Sequence, residues 1–145
     1  MQVNLSLVGR YEFFVRRKGE VVLSCAGKNL MVSTGKNRAA GVLANTISPP
    51  LGGYLAFGDD ATPADLAQTA LISEIGSRTL LSISVLSNFF SQTGTITNAG
   101  APLSVREMGL FTAAAAGTMI SRWVPNAFTF GTGDSLDFSW TLEVG

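Results

Sequence analysis

Ten acidic side chains, ten basic ones, a single thiol and no histidine are the chemical equipment of this chain. Without histidine it lacks the commonest metal ligand and the usual proton carrier near neutral pH. Cys25 is the only cysteine, so no internal disulfide can form, and it has no imidazole to make it a competent nucleophile. Serines and threonines are plentiful, but none has an identifiable Lys or His base beside it. Glycoside hydrolysis needs two carboxylates roughly 5–10 Å apart in a cleft. Here the acids are scattered over expected turns and strand exteriors, so no catalytic residue is assigned.

Three other constellations invite a chemical reading. Asp59 and Asp60 follow Gly58, with Asp65 nearby, and hard cations favour such carboxylates. The simpler account is a polar loop after a strand, with Asp60 or Thr62 opening a helical turn, and no metal is expected. Gly52-Gly53 and Gly131-Thr-Gly133 lack the GK[ST] continuation of a phosphate loop, and Gly35-Lys36 lacks the upstream glycine. No cofactor is expected either. Arg16-Arg17-Lys18 sits at a hairpin tip, where three charges in a chain of net charge zero read as a solvated turn. That neutrality gives no electrostatic reason to expect nucleic acid as a partner. Glu107 has no catalytic partner in the sequence and reads as one half of a salt bridge to Arg122 or Arg78.

The elements that position these groups are mostly strands. Leu136, Phe138, Trp140, Leu142 and Val144 alternate with Asp137, Ser139, Thr141 and Glu143, which is a half-buried strand introduced by the turn Gly131–Asp134. Tyr11–Arg16, Lys18-Gly19 and Glu20–Ser24 read as a hairpin, with Phe13 and Val15 on one face and Glu12, Phe14 and Arg16 on the other. Gly27–Asn29 reads as a further turn. Ser104–Phe111 and Thr118–Val124 read as strands joined by the small-residue link Ala113–Gly117, and alternation resumes at Phe128 and Phe130 after Pro125. Leu80–Phe90 reads as one long strand with Thr79, Leu81, Ile83, Val85 and Phe89 on a shared face, broken by Ser87. Thr93–Thr97 and Asn98–Gly100 read as turns or loop, and Pro49–Gly53 as irregular.

Helix has little room. Gly35–Asn45 supports one short helix at best, weakened by Gly41. Thr62 as N-cap before Pro63 suggests one or two turns over Pro63–Leu71. Seven or eight short strands with glycine-rich turns make this an all-β chain, a single domain over residues 1–145 built as a β-sandwich or jelly roll with one or two short helical turns.

Composition bears on partners. Apolar residues make up 46% and charged residues 14%, with a mean hydropathy of +0.32. A soluble domain usually carries about 25% charge, and such a deficit is expected where neighbours bury part of the surface. The apolar runs are far short of a membrane span, and MQVNLSLVGR has no signal-peptide pattern. The expectation is synthesis in the cytoplasm, no membrane, and a homo-oligomer or repeated array. Trp123, Trp140 and the nine Phe occupy core-like positions, with a few available as interface anchors. A carbohydrate-binding module would instead want exposed aromatics on one sheet face.

Three stretches, in order, resemble a group of small structural proteins of tailed bacteriophages. The first is Gly9-Arg-Tyr-Glu-Phe-Phe-Val-Arg-Arg-Lys-Gly-Glu-Val leading to Lys28-Asn-Leu-Met-Val-Ser-Thr-Gly35. The second is Tyr54-Leu-Ala-Phe-Gly58 with Thr62-Pro63 and Thr69-Ala-Leu71. The third, and most specific, is Arg106-Glu-Met-Gly-Leu-Phe111, Gly117-Thr-Met-Ile-Ser-Arg122 and Gly133-Asp-Ser-Leu-Asp-Phe-Ser-Trp-Thr-Leu142. The resemblance implies a virion protein of the tail, neck, baseplate or fibre, or a capsid decoration protein, whose partners are its own copies and other virion proteins. It marks Glu107, Gly109, Leu110, Phe111, Arg122 and Trp140 as a structural motif and implies no active site. The chain departs from the group at Ser91–Leu103, where a longer loop is expected. Glu107 and Arg122 are expected to meet across adjacent strands, an interaction of about 0.2–1 kcal/mol. Gly109 would allow close backbone approach or a bulge, and Leu110 and Phe111 would point to opposite faces.

Overall fold

The computed structural model describes residues 7–46, 52–86 and 89–144. Within these, strand occurs in twelve segments and α-helix in one. The chain opens with β1 (Leu7–Arg17) and β2 (Glu20–Lys28), joined by a two-residue turn in which both Lys18 and Gly19 have positive φ, 52° and 81°. That mirror-image turn matches the natural twist of paired strands. The remaining elements are β3 (Leu30–Met31), α1 (Ser33–Leu43), β4 (Tyr54–Gly58), β5 (Glu74–Leu80), β6 (Ser82–Leu86), β7 (Phe89–Thr97), β8 (Leu103–Val105), β9 (Glu107–Phe111), β10 (Met119–Trp123), β11 (Phe128–Phe130) and β12 (Ser135–Val144).

Two five-stranded antiparallel sheets form the body, in the orders β2-β1-β12-β7-β6 and β3-β10-β9-β4-β5, with a small β11-β8 ribbon beside them. The core lies between the sheets. From the first sheet come Phe13, Val15, Leu136, Phe138, Trp140 and Leu142; from the second come Met31, Leu55, Phe57, Met108, Leu110, Ile120 and Trp123. The alternation of β12 does what a period of two requires, since Leu136, Phe138, Trp140 and Leu142 are each at most 3% exposed. Rings cross between sheets: Trp123 stacks on Phe138 at 5.8 Å and on Tyr11 at 5.1 Å.

The second sheet is covered on both faces. Every residue of β9 and β10 is buried, so neither strand has the exposed polar face of a half-buried one. A second cluster of Val32, Ala56, Leu71, Phe111 and Met119 fills the side away from the first sheet. Leu110 and Phe111 therefore do face opposite ways, into different clusters. Helix α1 seats directly on β10, where a side chain at Gly35 would run into the carbonyl of Ile120. The loop from Asp59 to Ser73 closes the rest of this face, with Leu71 packed where a side chain at Gly109 would stand.

Several expectations need correction. Leu80–Phe90 is not one strand. The chain leaves the second sheet after Leu80 and enters the first at Ser82, and the amide of buried Leu81 bonds to the carbonyl of Gly53 at the crossing. Leu81 is buried, whereas Ile83 and Val85 are 45% and 71% exposed, so they share no common burial; Ser87 lies outside the described residues. Thr93–Thr97 is strand, paired with β12 from Ser135 to Ser139, so the loop expected over Ser91–Leu103 shrinks to the link after Thr97. Gly27 belongs to β2. Pro63–Leu71 forms no helix, while α1 runs a full three turns from Ser33. In the irregular Pro49–Gly53 stretch, 49–51 lie outside the described residues.

Candidate functional site

Of the motif residues, Glu107, Gly109, Phe111 and Arg122 converge on the outer face of the second sheet, while Leu110 and Trp140 belong to the core between the sheets. β9 and β10 pair antiparallel with Gly109 opposite Arg122 and Met108 opposite Trp123. Glu107 and Arg122 are thus diagonal neighbours on one face, within reach of long side chains. Nε of Arg122 donates to Oε2 of Glu107 at 2.8 Å, and both side chains are 0% exposed. Of the two partners open to Glu107, Arg122 is the one it takes. Arg78 instead pairs with Glu74, lies 3.7 Å from the centre of the Phe111 ring, and donates to the carbonyls of Ala113 and Ala116 in the β9–β10 link.

Glu107 holds more than a salt bridge. Its Oε1 accepts the amide of Ser73 at 2.7 Å, and its Oε2 accepts that of Ile72 at 3.1 Å. Arg122 reaches the other end of the same loop, donating through Nη1 to the carbonyl of Thr62 at 2.8 Å and to Oε1 of Gln68 at 3.3 Å. A buried pair is stable only when its remaining polar valences are met; here three are met by backbone and one by the Gln68 side chain, while Nη2 of Arg122 has no partner among the described residues. The pair fastens the Asp59–Ser73 loop to the sheet at both ends. Gly58, directly opposite Glu107 on β4, has to be glycine, because any side chain there would fall on the Glu107 carboxylate.

This arrangement offers little to a substrate. The carboxylate of Glu107 is closed off by two amides and a guanidinium, and no part of it faces solvent. Four more acids are engaged in ion pairs: Asp59 with Arg106, Asp134 with Arg17, Asp137 with Arg16 and Glu74 with Arg78. Asp60 and Asp65 each accept an amide two residues on, from Thr62 and Ala67. Those local turns take the place of the expected helix, because short polar side chains compete with the helical ladder for backbone donors. Among the described residues no three His, Cys, Asp or Glu side chains are grouped to hold a metal. A hollow of about 580 Å3 against β1 and β2 has one carboxylate on its wall, that of Glu12. Another of about 320 Å3 at the β1–β2 tip has only that of Asp134.

The electrostatics are those of fastening. Asp134 is held below the usual carboxylate range by the Arg17 guanidinium and the Gly131 amide. Asp137 is lowered by Arg16 and by the hydroxyl of Thr95, and Asp60 by its bonds to Thr62. The basic run at the hairpin tip is therefore partly engaged, with Arg16 and Arg17 turned onto the β11–β12 turn and strand. Burial pushes the Tyr11 phenol up to about 12, aided by its contact with Cys25 Sγ at 3.8 Å.

Of the other motif residues, Trp140 is 0% exposed and edge-on to Phe90 at 6.3 Å. Sequence reasoning missed Gly58, Leu71, Thr62 and Gln68 as parts of the cluster. It also missed Asn98, which is buried and binds the carbonyls of Ala101 and Phe130 while accepting the amide of Gly100. Asn-Ala-Gly is an ordinary turn signal, and nothing in it announces the long-range bond to Phe130. No family model matches the chain, and no curated protein or solved structure matches it either.

Proposed function

We propose that this chain is a non-enzymatic structural subunit of a bacteriophage particle, seated in the tail, neck, baseplate or a fibre and acting through protein–protein contacts. The observation that carries the reading is the fate of its most distinctive motif. Glu107, Gly109, Leu110, Phe111, Arg122 and Trp140 are all buried, and the charged pair spends its polar atoms on the loop that covers it. Residues used in this way build a scaffold, and a scaffold works through its outside. That outside carries few charges and a set of exposed apolar side chains including Leu43, Leu80 and Val85, as expected of a subunit whose surface is meant for neighbours. Both tryptophans are buried, which weighs against a sugar-binding aromatic platform.

The test is the particle. Purified, nuclease-treated virions from the host culture should contain the chain in a fixed copy number by quantitative mass spectrometry. Antibody labelling in electron micrographs should place it on the tail assembly. Label on the capsid surface would mean a decoration protein instead, and absence from the particle would overturn the reading.

A further inference from the structure

We propose that β6 is the seat of self-association, pairing antiparallel with β6 of a second copy across a two-fold axis and joining their first sheets edge to edge. The proposal deepens the assembly reading above and rests on its self-association, not on its virion setting. β6 is the last strand of its sheet, and among the described residues no strand pairs with its outer side. Every second residue of such a strand points its N–H and C=O away from the sheet, ready for another strand.

The side chains on this edge are unusual for one left to water. Ile83 and Val85 pair with Gln92 and Phe90, which face the core, yet they are themselves 45% and 71% exposed. The core-facing side of the sheet thus runs out past its cover, and Leu80, 67% exposed, adjoins it at the crossing between sheets. Natural edges are blunted with charge, proline or bulges. The opposite edge, β2, has Glu20 and Lys28 and a register shift in its pairing with β1. β6 has none of these, and no Asp, Glu, Lys or Arg occurs between Arg78 and Arg106.

The occupant follows from complementarity. A charged peptide would find no counter-charge on this edge. A second copy matches it: centring the axis on Ser84 sets Ile83 opposite Val85 of the other copy, and Val85 opposite Ile83, so two β-branched pairs form on one face. The contact is isologous and closes at two copies along this edge.

Sedimentation velocity of the full chain over a concentration series should show a reversible dimer. Val85→Lys should raise the dissociation constant at least about tenfold, the equivalent of roughly 1.4 kcal/mol. Val22→Lys, on the opposite edge at 51% exposure, should leave it unchanged. Cross-linking reads the register directly. Facing residues of an antiparallel pair have Cα atoms about 4.5–5.5 Å apart, inside the roughly 4.4–6.8 Å that a disulfide spans. In a Cys25→Ser background, Ser84→Cys should therefore give a covalent dimer under mild oxidation. Should Val85→Lys fail to fold, the cross-link decides alone. A chain that still self-associates with Val85→Lys and gives no Ser84→Cys cross-link overturns the β6 pairing and leaves the assembly reading in place. A monomer at every concentration, with no cross-link, overturns the pairing and self-association together, while the particle measurement still judges the virion setting.

Discussion

Glu107 and Arg122 meet at 2.8 Å on adjacent strands with neither side chain exposed. Between them they bind both ends of the loop that covers their sheet. Removing one member of a buried pair strands the other, at a cost of roughly 3–5 kcal/mol. Glu107→Gln should fall in that range, because it leaves the Arg122 charge buried among neutral oxygens alone, with no anion to balance it. Arg122→Met should cost less, since Glu107 keeps two backbone amides. The double variant should be milder than the sum by at least about 1 kcal/mol. Urea denaturation of the four proteins measures this; additive losses would mean the two side chains act independently.

The seat of α1 on β10 makes an opposite use of a small residue. Alanine is normally better than glycine inside a helix by about 1 kcal/mol. At Gly35 the added methyl would meet the Ile120 backbone, which cannot swing aside as a side chain can. Gly35→Ala should therefore destabilise by about 1–3 kcal/mol. Gly100→Ala, where the methyl meets only Asn98 at an ordinary 3.7 Å, should stay within about 0.5 kcal/mol. A stabilised Gly35→Ala would mean that the helix does not rest there.

What could be read from the sequence was local pattern. The β1–β2 hairpin, the alternation of β12 and the β9–β10 pairing with Glu107 against Arg122 all rest on neighbours in sequence, and all are present. The strength expected of that pair, about 0.2–1 kcal/mol, is too small for the fully buried contact that is found. What was hidden depends on tertiary packing. Thr93–Thr97 looked like a turn because of Gly94, but that glycine sits mid-strand to admit the side chain of Leu81. Leu80 and Leu81 looked alike in one apolar run, yet a change of sheet falls between them. The Pro63–Leu71 helix was lost to Asp60 and Asp65, and Leu71 was drawn down onto Gly109. Gly58 could not be recognised as part of the cluster until β4 was known to lie beside β9.

The ion pairs at the hairpin tip make stability depend on acid. Asp134 and Asp137 have folded-state pKa values below their ordinary 3.8. In falling pH the unfolded chain therefore takes up protons first, and protonation favours unfolding. The stabilisation is complete above the ordinary carboxylate range and is lost as pH drops through the lowered values. Urea midpoints for the native chain should fall as pH drops below about 4, beyond any loss from other acids. Asp134→Asn should start lower at pH 6 and fall less steeply, so the two curves converge in acid. Parallel curves would mean that Arg17 does not hold Asp134 in solution.

Tyr11 gives the alkaline counterpart. Its phenol lies half-buried against Trp123 and Cys25, which pushes its pKa up to about 12 from an ordinary 10.0. A raised folded-state value means that the folded chain keeps its proton while the unfolded chain loses one. The corresponding stability is fully present below pH 10 and disappears as pH rises toward 12. The chain has two tyrosines, so absorbance at the phenolate band can be assigned by subtraction. Titration of the native chain should show one step near pH 12 that is missing in Tyr11→Phe. Tyr11→Phe removes a single long contact to sulfur and should cost under about 1 kcal/mol at pH 7. It should also lose less stability than the native chain between pH 10 and 12. If the step assigned to Tyr11 lies at its ordinary value, the phenol is open to water and the packing of β1 against Trp123 is looser than the structure describes.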